Sequence, residues 1–264
     1  ELFNYRYEFR FLMVQRYFLD TPIGPATSVV LQGSEAQHLT RVMRGKCGDR
    51  VEVFDGSGWQ WDAEIVQVGR NEATLKILST AEVDLEPALA LTVGIALPKG
   101  DRQKWIIEKM VELGVTTVIP ITTTRGVAQP VDKALVRLRN HVISASKQCG
   151  RNRLLEIGEV TSLETFLKQT GENRFIAHPK SAQMGVNNTL AETIGEQESC
   201  IISIRDIQLE SGEAVVAIGP EGGFSAEEAA EAIQLQWKMV DMGPRILRIE
   251  TAALTFAARL LVGI

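Results

Sequence analysis

The chain has 264 residues, 45% hydrophobic and 23% charged, with a formal net charge of −5 at pH 7. That composition suits an ordinary globular protein, either one large domain or two modest ones with a complete core. No run of about eighteen apolar residues occurs and no charged-then-apolar leader pattern opens the chain, so a soluble cytoplasmic protein with no membrane partner is expected. Cys47, Cys149 and Cys200 are far apart, and with His38, His141 and His178 they form neither a zinc ligand set nor a Ser-His-Asp triad. No metal is expected.

Residues 1–12 interleave aromatic and basic side chains and read as an N-terminal extension, a surface tail or helix in preference to a nucleic-acid contact. From residue 13 to 86 the pattern is short alternating runs, at 28–31, 50–54, 59–65 and 73–78. Turn signals at Asp55-Gly56-Ser57-Gly58 and Gly69-Arg70-Asn71 separate them, which predicts a small β-barrel. Ser34 to Leu39 predicts a helix, with Ser34 as cap and Gln37 completing a capping box. Glu86-Pro87 breaks this regime and marks the domain boundary, so residues 87–264 form a second domain.

In that second part, Ala90 to Leu97 is a nearly continuous apolar strand. A helix from Asp101 repeats apolar residues at Ile106, Met110 and Leu113 and stops at Gly114. Val115 to Ile121 is the next strand, Asp132 caps a helix running to Cys149, and Arg174 to His178 is a third strand. Alternating strands and helices predict a parallel α/β sheet. Between Lys99 and Arg153 stand eleven Lys and Arg against four Asp and Glu, a net +7 that leaves −12 for the remainder. Lys99, Arg102, Arg125, Arg151 and Arg153 in this run, with Arg41 and Arg44 earlier in the chain, are candidates for phosphate contact with RNA. The alternative is a set of solvated helix faces.

Two glycine loops follow the last two strands. Ala214 to Ile218 leads into Gly219-Pro220-Glu221-Gly222-Gly223-Phe224-Ser225, and Ser225 stands three residues before Glu228 as in a capping box. Trp237 to Asp241 leads into Met242-Gly243-Pro244-Arg245-Ile246-Leu247-Arg248-Ile249-Glu250-Thr251, which opens a helix. Both loops lie at carboxyl ends of strands, where α/β proteins hold ligands. A polyphosphate suits the first loop badly, since Glu221, Glu227 and Glu228 stand where it needs cations and the lysine of a phosphate cradle is absent. A ligand with positive character suits it better. Tight turns that merely need glycine are the competing explanation for either loop alone.

These loops resemble the cofactor loops of the RsmE family of ribosomal RNA uridine N3-methyltransferases, in the SPOUT superfamily. The likeness extends to Leu97-Pro98-Lys99-Gly100-Asp101-Arg102, to Lys147-Gln148-Cys149-Gly150-Arg151-Asn152-Arg153, to Arg16-Tyr17-Phe18 and to His38 through Arg44. It implies an N-terminal PUA-like β-barrel that binds RNA, and a C-terminal SPOUT α/β domain with a parallel sheet and a trefoil knot. It further implies S-adenosylmethionine as cofactor, 16S ribosomal RNA in the small subunit as partner, and a homodimer. His178, Pro179, Gly219, Glu221, Gly222, Gly223, Met242, Gly243, Ile246, Leu247 and Thr251 match the family's cofactor segments. Arg16 and Arg248 match its arginine motifs, where a guanidinium can stabilise charge on the uracil carbonyls, and Glu250 can position an arginine or accept the N3 proton through water. A salt bridge from Arg248 to Glu250 or Glu221 is the structural alternative. Lys147 departs from the family, which often has Glu there, as do Met242 and Ile249. The rivals to this reading are a SPOUT enzyme acting on a ribose hydroxyl or another base, a non-catalytic RNA-binding protein, and a nucleotide-phosphate enzyme.

Overall fold

In a computed structural model, residues 14–126, 132–169, 171–178 and 201–262 are described, and they fall into two units. The expectations for residues 1–12 and for Pro179 lie outside the described residues, as does the Asp132 side-chain cap.

The first unit holds the described residues up to Leu85 together with Ser146–Arg153. Its alternating runs form five strands, β1 (Gln15–Phe18), β2 (Ser28–Gln32), β3 (Arg50–Phe54), β4 (Trp59–Val68) and β5 (Glu72–Glu82). The sheet order is β1-β3-β4-β5-β2, with β1 parallel to β3 and the other pairs antiparallel. Every second residue of β3 to β5 turns inward, so Val51, Val53, Trp61, Ala63, Ile65, Ala73 and Leu75 make one core with Tyr17, Leu31 and Leu39. Two register shifts in the β4–β5 pairing, at Asp62/Ala63 and Ile65/Gln67, curl the two long strands. β1 and β2 remain edges, so the expected barrel is an open half-barrel.

The helix expected over Ser34–Leu39 starts earlier and ends differently. α1 spans Gly33–Gln37, and a π-helical turn follows at His38–Val42. Gly33, at φ 61°, turns the chain out of β2, so Gln32 takes the cap position without a side-chain bond and Ser34 lies inside the helix. The departure at Lys147 has a local counterpart: its Nζ lies 2.9 and 3.0 Å from the two carboxylate oxygens of Glu35 and 5.3 Å from the centre of the Tyr17 ring. Burial, then the Glu35 charge, pushes the Tyr17 phenol up to about 12.

The second unit holds Glu86–Ala145 and the described residues from Leu154 onward. β6 (Leu89–Ile95), α2 (Asp101–Leu113), β7 (Thr117–Thr122) and α3 (Asp132–Cys149) follow the expected order. Gly114, at φ 88°, ends α2 by offering the left-handed conformation there. Then come β8 (Glu156–Ile157), β9 (Thr161–Ser162), α4 (Leu163–Leu167), β10 (Arg174–Ala177), β11 (Ile201–Ser203), β12 (Gly212–Ile218), α5 (Ala226–Gln234), β13 (Lys238–Asp241) and α6 (Ile249–Leu261). The sheet runs β11-β13-β10-β12-β6-β7-β8, and all its recorded pairs are parallel. Such strands are covered on both faces, which is why β6 reads as a nearly continuous apolar run. One core gathers Phe166, Ile176, Ala217, Phe224, Trp237 and Met239, and the Trp237 indole N–H donates to the Leu167 carbonyl at 2.8 Å.

Candidate active site

The sheet order decides where the site lies. β12 and β13 each pair with β10, one on either side. All three run the same way, so the segments leaving their carboxyl ends emerge together, with His178 after β10 between the two glycine loops. There they enclose a cavity of about 270 Å³, near the lower edge of the roughly 300–1,000 Å³ usual for small-ligand sites.

Each wall has a local cause. The first loop turns back through Gly223, at φ 67°, whose N–H donates to the Pro220 carbonyl at 2.8 Å. It ends on the capping box foreseen in the sequence: Ser225 Oγ accepts from Glu228 N at 3.2 Å, and Glu228 Oε2 accepts from Ser225 N at 2.7 Å. The second loop turns at Gly243, at φ 103°, where the N–H donates to Asp241 Oδ1 at 3.2 Å. Ile218, Phe224, Met242, Ile246 and Leu247 present apolar surface to the cavity, and the glycines present main chain. Ile246 is 83% exposed, an apolar side chain with a ligand-sized space beside it.

Of the expected cofactor set, His178, Gly219, Glu221, Gly222, Gly223, Met242, Gly243, Ile246 and Leu247 line this cavity. Thr251 does not. Its neighbours Ile249 and Ala252 do, because residues three apart share a helix face and Thr251 falls between them. The cavity is also lined by Ala177, Ile218, Pro220, Phe224, Arg125 and Arg245. Phe224 and Pro220 sit inside the glycine motif and were within reach of sequence reasoning. Arg125 was not, since 97 residues separate it from the loop that it touches.

The charged groups are arranged unevenly. Arg102, at the start of α2, reaches the first loop and the start of α6: Nη2 lies 3.3 Å from Glu221 Oε1 and Nη1 lies 3.5 Å from Glu250 Oε1. Arg248 has neither of the salt bridges considered for it, and its exposed side chain makes no hydrogen bond or ion pair among the described residues. Glu250 is 8% exposed, and its Oε2 is buried without a partner among the described residues. Burial holds the His178 imidazole below its ordinary pKa, so it is neutral at pH 7, and its Nδ1 is likewise unpartnered among the described residues. Among the described residues, no group of three or more His, Cys, Asp or Glu could hold a metal ion.

The remaining expected residues divide. Arg16, in the first unit, has a partner on each guanidinium nitrogen: Nε with Glu52, Nη1 with the Ser146 carbonyl at 3.0 Å, and Nη2 with Asn152 Oδ1. It also lies over the Phe54 ring. Arg151 is only 4% exposed, so it is withdrawn from the phosphate-contacting set: a buried guanidinium cannot meet a phosphate in solvent. Arg153 is exposed but packs over Gly58, where an added Cβ would lie 3.0 Å from its Nη2. Arg41 has one weak contact, 3.4 Å to Asn71 Oδ1, and Arg41, Arg44 and Lys99 are exposed. No described helix is long and apolar enough to cross a membrane.

Comparison with known proteins agrees with this geometry. An RNA methyltransferase domain model matches residues 85–261, and an RNA methyltransferase PUA domain model matches residues 31–78. The chain is 28% identical over 251 residues to the ribosomal RNA small subunit methyltransferase E of Bacillus subtilis, covering 91% of this chain and 93% of that one. It is 30% identical over 226 residues to the protein of that name from Synechocystis, covering 85% and 70%. Among solved structures, a ribosomal RNA small subunit methyltransferase E from Neisseria gonorrhoeae bound to S-adenosylmethionine superposes with a TM-score of 0.78 at 29% identity, covering 94% of this chain and 97% of that one. A Legionella pneumophila protein in complex with S-adenosylmethionine gives 0.80 at 27% identity, covering 94% and 98%.

Proposed function

Since the chain belongs to the ribosomal RNA small subunit methyltransferase E family, we propose that it methylates N3 of a uridine in 16S ribosomal RNA, with S-adenosylmethionine as donor. The observation that carries the reading is the cavity between the β12 and β13 loops, with apolar walls, main chain at its turns and the Glu221 carboxylate at its side. Adenine fits walls such as Met242, Ile246 and Leu247. A sulfonium and an ammonium are better served than phosphate by Glu221, whose carboxylate lines the cavity. Bound there, the cofactor supplies an electrophilic methyl group.

The chain's own part is alignment, exclusion of water and handling of one proton. Uracil N3 carries a proton at neutral pH, and as it leaves, negative charge spreads to the two carbonyl oxygens. Arg248 stands in sequence between Leu247 and Ile249, two residues of the cavity wall, and its guanidinium has no partner among the described residues. We assign it to that developing charge, which it can meet without ever giving up its own proton. Glu250, with one carboxylate oxygen toward Arg102 and the other unpartnered among the described residues, is assigned to receive the N3 proton through water. Arg16 is assigned a holding role inside the first unit, because its nitrogens are already engaged there.

Exposed Arg41, Arg44 and Lys99 remain in the proposed RNA contact. The proposal includes a C-terminal trefoil knot, a homodimer and a cytoplasmic location, as the family resemblance implies. The reading is tested by mass spectrometry of ribosomal RNA from cells with and without the gene. One N3-methyluridine should vanish with the gene and return with the wild-type copy but not with R248A. A modification profile that ignores the gene refutes the reading.

A further inference from the structure

We infer that Arg125, which composition and charge place among RNA-contacting residues, is instead a positioning residue that holds the glycine loop in the shape that receives the methyl donor. The inference rests on the methyl-donor reading and names the residue that prepares that site.

Arg125 follows β7, and its Nη1 donates to the Gly222 carbonyl at 2.9 Å and to the Phe224 carbonyl at 3.4 Å. A Cβ added at Gly222 would meet the Cβ and Cδ of Arg125 at 3.5 Å, so the arginine's stem lies along the loop while its head bonds it. The residue before it extends the same attachment: Thr124 N donates to Glu228 Oε1 at 2.7 Å, and the other oxygen of that carboxylate caps α5 through Ser225. Two consecutive residues of the β7 loop thus fasten the second half of the turn, from Gly222 to Phe224, and the start of α5 that follows it. Gly223, at φ 67°, gives that turn conformational freedom, and freedom in an empty loop must be lost when ligand binds. An arginine suits the task because its charge cannot be titrated away and one nitrogen can face two carbonyls. Lysine keeps the charge and three N–H donors but lacks the planar, preorganised head, so it holds the two carbonyls less firmly.

The test uses the full chain as wild type, R125A and R125K, titrated with S-adenosylmethionine by calorimetry, with thermal unfolding of each ligand-free protein as control. R125A should bind the donor about five- to tenfold more weakly, with R125K between the two. In turnover the KM for the donor should rise more than kcat falls. Amide exchange at Gly222 to Ser225 should quicken in ligand-free R125A while β6 and β12 stay protected, which separates a loosened loop from a misfolded protein. If R125A binds the donor as wild type does, and its loss lies in a weaker, less salt-dependent affinity for RNA, the residue is a phosphate contact and the inference is wrong. Failure of the wild-type chain to bind the donor would instead overturn the methyl-donor reading and take this inference with it.

Discussion

Arg16 and Arg248 both stand in stretches that resemble arginine motifs of the family, yet their surroundings give them opposite capacities. Each nitrogen of Arg16 has a partner, one of them the carboxylate of Glu52 in a partly buried setting. R16A would leave the Glu52 carboxylate with only the Gln60 amide, 3.2 Å from its Oε2, and Asn152 Oδ1 without its donor, so unfolding in denaturant should show a loss of about 3 kcal/mol. Cofactor affinity of the folded fraction should be little changed. His178 supplies a prediction in pH. Burial lowers its pKa in the folded chain below the ordinary value of 6.5, so between the folded and unfolded values the unfolded chain binds more protons. Stability therefore holds above about pH 6.5 and falls as the pH drops through the folded value, and H178Q should flatten that slope in denaturant titrations from pH 7.5 to 5. The charge pattern offered Arg102 and Arg125 as phosphate contacts and could not reveal the partners they have within the chain. Arg102 lies 3.3 Å from Glu221, and Arg125 lies 2.9 Å from the Gly222 carbonyl, through contacts that span over ninety residues of sequence.

At the scale of elements, what was legible was local. The Ser225–Glu228 capping box depends on residues three apart and could be read directly. The same logic failed at Ser34, because the left-handed turn at Gly33 moved the helix start. β6, α2, β7 and α3 could be foreseen from long apolar runs or helical spacing. The two- and three-residue strands β8, β9 and β11 are too short to carry any periodicity, and only their neighbours in the sheet make them strands. Gly94 in β6 shows how tightly those neighbours constrain sequence: a Cβ there would lie 2.3 Å from Phe166 Cζ, with the ring fixed in the core. G94A should cost about 3 kcal/mol or more in thermal or denaturant unfolding. An unchanged midpoint would show that Phe166 can move aside.

For the whole molecule, the alternation of strands and helices was enough to predict a parallel sheet, and the sheet's order then explains why two loops separated in sequence share one cavity. The passage of Ser146–Arg153 into the first unit was not legible, because it depends on Arg16 and Glu35 finding partners over a hundred residues away. Binding of a ligand to the folded chain alone should raise its stability by about 2.7 kcal/mol at one hundred times the dissociation constant, a shift that thermal unfolding with S-adenosylmethionine can read. The most direct measurement is reconstitution. The purified protein is incubated with unmethylated small ribosomal subunits and methyl-labelled S-adenosylmethionine, and the RNA is digested to nucleosides for mass spectrometry. The label should appear in N3-methyluridine at one site, and R248A should reduce it at least a hundredfold. Label on a ribose or another base, or no label at all, would contradict the account.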